Sequence, residues 1–187
     1  MKNAIIVHGT CDRDEYFDTK YPSLSNSHWL PWLQKQLLIN NIHTQTPEMP
    51  IAYDPKYNLW KTEFEGFEIN KETVLIGHSC GGGFLVRWLS ENEEYVQKLI
   101  LIAPWLDPEK TKTIDFFDFK LDPTLIKRVS EIHLFVSTDD DEDVIKSAKM
   151  IQYSINNIVV HEFSDKGHFT YNELGTVEFP ELLNVII

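Results

Sequence analysis

Five short, nearly continuous apolar runs, rich in β-branched side chains, constrain this chain more than any other feature. They are AIIV (4–7), VLIG (74–77), LILIA (99–103), IHLFV (132–136) and IVVHEF (158–163). A strand with one face in water alternates apolar and polar residues, whereas a continuous run needs cover on both faces, the condition of strands inside a parallel sheet. A sixth run, IHTQT (42–46), is more polar and reads as a strand near the edge of that sheet. Between the runs, apolar residues recur at helical spacing over 28–40, 57–69, 83–91, 143–155 and 180–187, with Pro31 in a first turn, where a missing N–H does no harm. Strands alternating with helices under right-handed crossovers predict an α/β three-layer sandwich around a mainly parallel sheet of about six strands. No repeat or linker interrupts the pattern, so residues 1–187 read as one domain. Only 105–124, rich in Asp, Lys, Phe and Pro, breaks the rhythm, and it reads as a short cap.

Seventeen basic against twenty-nine acidic side chains give a formal charge of −12. That balance argues against nucleic acid or an anionic membrane as partner, since either requires a basic surface. No stretch approaches the ~18 apolar residues of a membrane span. The amino terminus turns acidic too soon for a secretory signal, and two cysteines make no disulfide framework, so a cytoplasmic location is expected. No His/Cys set has metal-ligand spacing, and no G-x-G-x-x-G follows the first strand, so neither a metal nor an organic cofactor is expected.

In an open parallel sheet, ligands bind beyond the carboxyl ends of the strands. One such end carries Gly77-His78-Ser79-Cys80-Gly81, a G-x-S-x-G sequence between an apolar strand and an amphipathic helix. This is the setting in which a serine is thrust out of a sheet on a sharp turn, with glycines relieving the crowding. A serine hydroxyl needs an imidazole to take its proton. Of seven histidines, His133 and His161 lie inside strand runs, His28 and His43 read as surface, and His78 is expected to point away from the hydroxyl. His168 follows the last strand in a Gly-containing loop and is the expected base. The carboxylate that orients it should come from the run Asp139–Asp143, which gives the chain order serine, acid, histidine. The oxyanion donors are expected to be the Cys80 amide and one amide of the loop after the first strand, with Thr10 ahead of Cys11.

These residues resemble the small serine hydrolases of the retinoblastoma-binding type, within the α/β-hydrolase superfamily. The resemblance rests on the HG loop at 8–9, HWLPWL (28–33), TPEMP (46–50) with Trp60, GHSCGG (77–82), STDD (137–140) and DKGHF (165–169). It implies Ser79 as nucleophile, His168 as base and Asp140 as triad acid. Additional acidic residues stand where the family often has a proline, which keeps Asp139 and Asp141 as alternatives. The implied activity is hydrolysis of small esters, with thioesters or amides also in range, through an acyl-enzyme. Cys11, Trp105 and Phe117, with Phe116 and Phe119, are expected to border the substrate, and Asp12, Asp14, Glu15 and Asp18 to disfavour anionic acyl groups against a partial offset by Arg13. The rival readings are a hydrolase-fold binding protein without useful turnover and a serine aminopeptidase. Oxidation joining Cys11 to Cys80 is a subsidiary expectation.

Overall fold

A computed structural model describes residues 2–187. Six strands form one sheet in the order β2-β1-β3-β4-β5-β6, and every adjacent pair is parallel. The strands are β1 (Asn3–Val7), β2 (His43–Gln45), β3 (Thr73–His78), β4 (Val96–Ile102), β5 (Val129–Ser137) and β6 (Val159–Phe163). Each apolar run became a strand. β1 and β3 are buried along their whole length, as continuous runs require. The polar run became the edge strand β2. The run at 158–163 departs from expectation: β6 forms the opposite edge and is half-exposed, with Val159 49% accessible. An edge strand has only one neighbour, and among the described residues no strand pairs with its outer side.

The main helices are α2 (Leu30–Ile39), α3 (Tyr57–Phe64), α4 (Cys80–Glu91), α5 (Glu142–Ser154) and α7 (Pro180–Ile186). Two short helices, α1 (Arg13–Phe17) and α6 (Tyr171–Leu174), lack a periodic apolar signal and bury no residue. Helix α3 stops at Phe64, short of the expected 69, just ahead of Gly66; α4 begins three residues earlier than expected, directly at the serine turn. The chain moves one way along the sheet from β1 to β2, and the other way from β2 to β3, β4, β5 and β6. With right-handed crossovers, that reversal puts α2 on one face and α3, α4 and α5 on the other. Helix α7 joins α2, where Phe179 meets both Trp29 and Phe135. On the other face Trp60 and Phe64 of α3 pack edge-on to Phe84 of α4.

The segment 105–124 packs down on α3 and α4. Phe116 is buried edge-on against Trp60 at 5.0 Å, and the Arg87 guanidinium, 3.6 Å above the Tyr57 ring, donates to the Asp115 and Phe116 carbonyls. The buried Asp107 carboxylate collects the amides of Thr111, Lys112 and Thr113, which ties the start of the segment into a closed loop.

The reversal of direction falls between β1 and β3, the neighbours at the switch point. There the loops leaving the two strands diverge toward opposite faces and open a crevice at their carboxyl ends. Register aligns Val7 with Gly77, so the residues that follow, Gly9 and Ser79, meet at that crevice.

Candidate active site

Ser79 occupies a single residue between β3 and α4, with φ 54° and ψ −124°. This conformation is strained for a side chain with a Cβ, by about 1–3 kcal/mol, and the neighbours hold it there. The Ser79 amide donates to the Ile102 carbonyl at 2.9 Å, and the Ser79 carbonyl accepts from Gly83 and Trp105. Close approach explains two glycines. A Cβ on Gly81 would lie 2.4 Å from both the Val7 and His8 carbonyl oxygens, and one on Gly9 would lie 2.9 Å from the Ser79 Cβ. The HG loop and the serine turn therefore touch backbone to side chain.

His168 sits in the loop after β6. Its Nδ1–H donates to Asp140, with both carboxylate oxygens at 3.0 Å. That bond leaves Nε2 as the free acceptor of the neutral ring. The Asp140 side chain is 3% exposed, so the carboxylate is shielded from competing water. Asp139, next in line, does something else: it accepts from the Ser137 hydroxyl and from the Gly167 amide at 3.1 Å. Its carboxyl is held below the ordinary range chiefly by the Ser137 hydroxyl. Asp141 is the N-cap position of α5.

The His168 loop is pinned from two further sides. His78 donates Nε2–H to the His168 carbonyl at 2.8 Å, and the Trp29 indole donates to the Phe169 carbonyl at 3.1 Å. His78, whose ring was expected to point away from the Ser79 hydroxyl, is thus a partner of the His168 loop. His8 has a matching place in the HG loop. Its Nδ1–H donates to the Gly9 carbonyl at 2.7 Å, while Nε2 accepts from the Met49 amide at 2.8 Å. The Gly9 carbonyl and the Thr10 amide belong to one trans peptide and point in opposite directions. Holding the carbonyl on the His8 side aims the Thr10 N–H the other way. The Cys80 amide opens α4, before any carbonyl of that helix can accept it.

Ser79, His168, Gly9, Thr10 and His78 border one cleft of about 650 Å³, together with Tyr21 and Leu24 from the long β1–α2 connection. The Ser79 hydroxyl makes no hydrogen bond to the His168 ring; contacts between a nucleophile and its base are often loose without substrate. Three residues expected to border the substrate are not among those that border this cleft. Phe117 packs over the first turn of α4, where a Cβ on Gly83 would meet its ring at 2.7 Å, and Trp105 stacks edge-on to it at 5.5 Å. Neither borders the cleft, because 105–124 is anchored on the α3–α4 face. Cys11 is half-buried and borders a neighbouring hollow that shares Glu15, Tyr21 and Leu24 with the cleft. Burial first, then Glu15, Asp12 and Glu48, push its thiol up to about 11. Cys80 is fully buried, and both thiols are free. The walls that sequence reasoning missed, Tyr21, Leu24 and His28, belong to the β1–α2 connection, which the switch-point rule could have flagged. His133 and His161 pair with each other at 3.0 Å on β5 and β6.

Burial lowers the pKa of three imidazoles around the site, His8, His28 and His78, below their ordinary 6.5. The unfolded chain binds these protons more readily, so their contribution is complete above pH 6.5 and is lost as pH falls below it. The urea midpoint is therefore expected to be lower at pH 5.2 than at pH 7.5, a window above the ordinary carboxyl range; equal midpoints would contradict the assignment.

A parallel sheet with a strained serine at the switch point and an Asp–His pair across a cleft defines the class: an α/β-hydrolase. Similarity to solved structures supports that fold. The ydeN gene product of Bacillus subtilis matches with TM-score 0.84 and 23% identity, covering 100% of this chain and 97% of that one. Est1E of Butyrivibrio proteoclasticus matches with TM-score 0.64 and 14% identity, covering 100% and 86%. By sequence, the chain is 22% identical to YdeN over 99% of its length and 94% of YdeN. It is 26% identical to the serine hydrolase RBBP9 of Rattus norvegicus over 84% of each chain. Residues 21–186 match the serine hydrolase family model, and the chain belongs to that family. No helix among the described residues is long and apolar enough to cross a membrane.

Proposed function

We propose that the protein hydrolyses small carboxylic esters through an acyl-enzyme on Ser79. His168 Nε2 takes the serine proton as Oγ attacks the carbonyl carbon. Asp140 holds Nδ1–H and stabilises the imidazolium. The Thr10 and Cys80 amides receive the oxyanion. The imidazolium then gives its proton to the leaving alcohol, and the same base activates water to release the acid and regenerate Ser79. The observation that carries this reading is the two-oxygen contact of Asp140 with His168 Nδ1, which fixes the tautomer whose free nitrogen can act as base.

The cleft favours small, neutral acyl groups. Its 650 Å³ suits a compact ligand, and Glu15 on its wall repels carboxylates. With p-nitrophenyl esters, kcat/KM is expected to be highest between acetyl and hexanoyl chains. Succinyl esters should be about 2- to 5-fold poorer than butyryl esters, the size of one unfavourable charge contact at a solvent-exposed wall. Faster cleavage of aminoacyl p-nitroanilides than of every ester would favour an aminopeptidase and overturn the proposal.

A further inference from the structure

His28 is the one cleft imidazole that neither the triad nor the loop-pinning bonds employ. It stands just before α2 with φ 56°, a positive value that histidine adopts more readily than most residues. Its Nδ1 accepts the Tyr171 amide at 3.2 Å. An amide can only donate, so Nδ1 is bare and the neutral ring carries its proton on Nε2. Burial first, then the His168 ring, favour that neutral form. Nε2 has no protein partner among the described residues, and it is not sealed away from solvent. His28 borders the Ser79 cleft, where a bound molecule would meet it. Its position along the cleft is also defined: the His28 ring lies 5.9 Å from that of His78, which lies 5.1 Å from that of His168. His168 is the group that must protonate the departing alcohol, and the His78 ring, in contact with both, links His28 to that end of the cleft.

We infer that His28 Nε2–H is a specificity-determining hydrogen-bond donor for the leaving group, selecting esters of alcohols that carry an oxygen acceptor close to the ester oxygen over esters of hydrocarbon alcohols. This rests on the serine-esterase reading and adds the class of alcohol to it.

The test uses 2-methoxyethyl acetate and n-butyl acetate, whose leaving groups have the same number of heavy atoms, followed by pH-stat. Their intrinsic reactivities differ, so the readout is the ratio of their kcat/KM values in each variant relative to the parent. His28→Asn keeps an acceptor for the Tyr171 amide and suits a positive φ, but has no donor at the Nε2 position. It is expected to fold like the parent and to lower the ratio about 2- to 10-fold, the range of a neutral hydrogen bond, mainly through the methoxyethyl ester. His28→Gln can place an N–H at similar reach and is expected to retain at least half of the preference. A ratio unchanged in His28→Asn, or both esters slowed equally in both variants, would overturn the inference while leaving the esterase intact. Absence of hydrolysis in the parent, together with no fluorophosphonate labelling of Ser79, would instead remove the underlying reading.

Discussion

Ser79→Ala is expected to lower kcat/KM for p-nitrophenyl butyrate by about 10⁴-fold or more, as removal of a nucleophile acting in concert with its base does. The variant should fold as the parent does. Alanine keeps the Cβ, so the strain at φ 54° is neither relieved nor increased, and the hydroxyl has no hydrogen bond within the described residues to lose. Circular dichroism and the urea midpoint should match those of the parent while turnover disappears. Turnover within 10-fold of the parent would assign the chemistry to another group and leave the strained turn without a reason.

The second large effect separates two adjacent carboxylates. Asp140→Asn is expected to lower kcat about 10³- to 10⁴-fold with KM little changed. The amide cannot stabilise an imidazolium, and when its NH₂ faces Nδ1 it selects the tautomer with the proton on Nε2, which cannot act as base. Asp139→Asn should lower kcat less than about 10-fold but reduce the unfolding midpoint, because this carboxylate joins the end of β5 to the His168 loop through Ser137 and Gly167. Asp139 is exposed and Asp140 is shielded, so their burdens differ as their surroundings do. The reverse pattern, with kcat lost at Asp139 and kept at Asp140, would show that the loop rearranges when substrate binds.

Much of this architecture was readable before any coordinates. Four of the five continuous runs specified strands covered on two faces, and the polar run at 42–46 specified an edge, because burial on both sides leaves no room for polar alternation. The run at 158–163 carried the same signal yet became the half-exposed edge β6. Ser79 and His168 could be singled out because each follows a strand at the carboxyl end of the sheet. The choice among Asp139, Asp140 and Asp141 came from family resemblance, since five consecutive acidic residues carry no periodic signal that says which one turns inward. The walls of the cleft were misplaced. An aromatic-rich segment at 105–124 attracted the assignment, but aromatic side chains pack in a core as readily as around a ligand. Here Phe116 joined Trp60 and Phe84. The residues that border the cleft instead lie in the connection after β1, where short helical turns and small polar residues give little periodicity. His8 and His78 were hidden for a similar reason. Their work is to hold backbone carbonyls, and no spacing in the sequence announces a side chain bonded to the carbonyl of Gly9 or of a loop ninety residues away.

The claim on which the rest depends is that Ser79 is made nucleophilic by His168. Reaction with a fluorophosphonate, followed by peptide mapping with tandem mass spectrometry, reads this directly, because only an activated serine displaces the fluoride. One adduct per chain is expected, on the peptide containing Ser79, with labelling slowed at least about 10²-fold in His168→Ala. Labelling of Ser79 at the parent rate without His168, or an adduct on any other residue, would contradict the account.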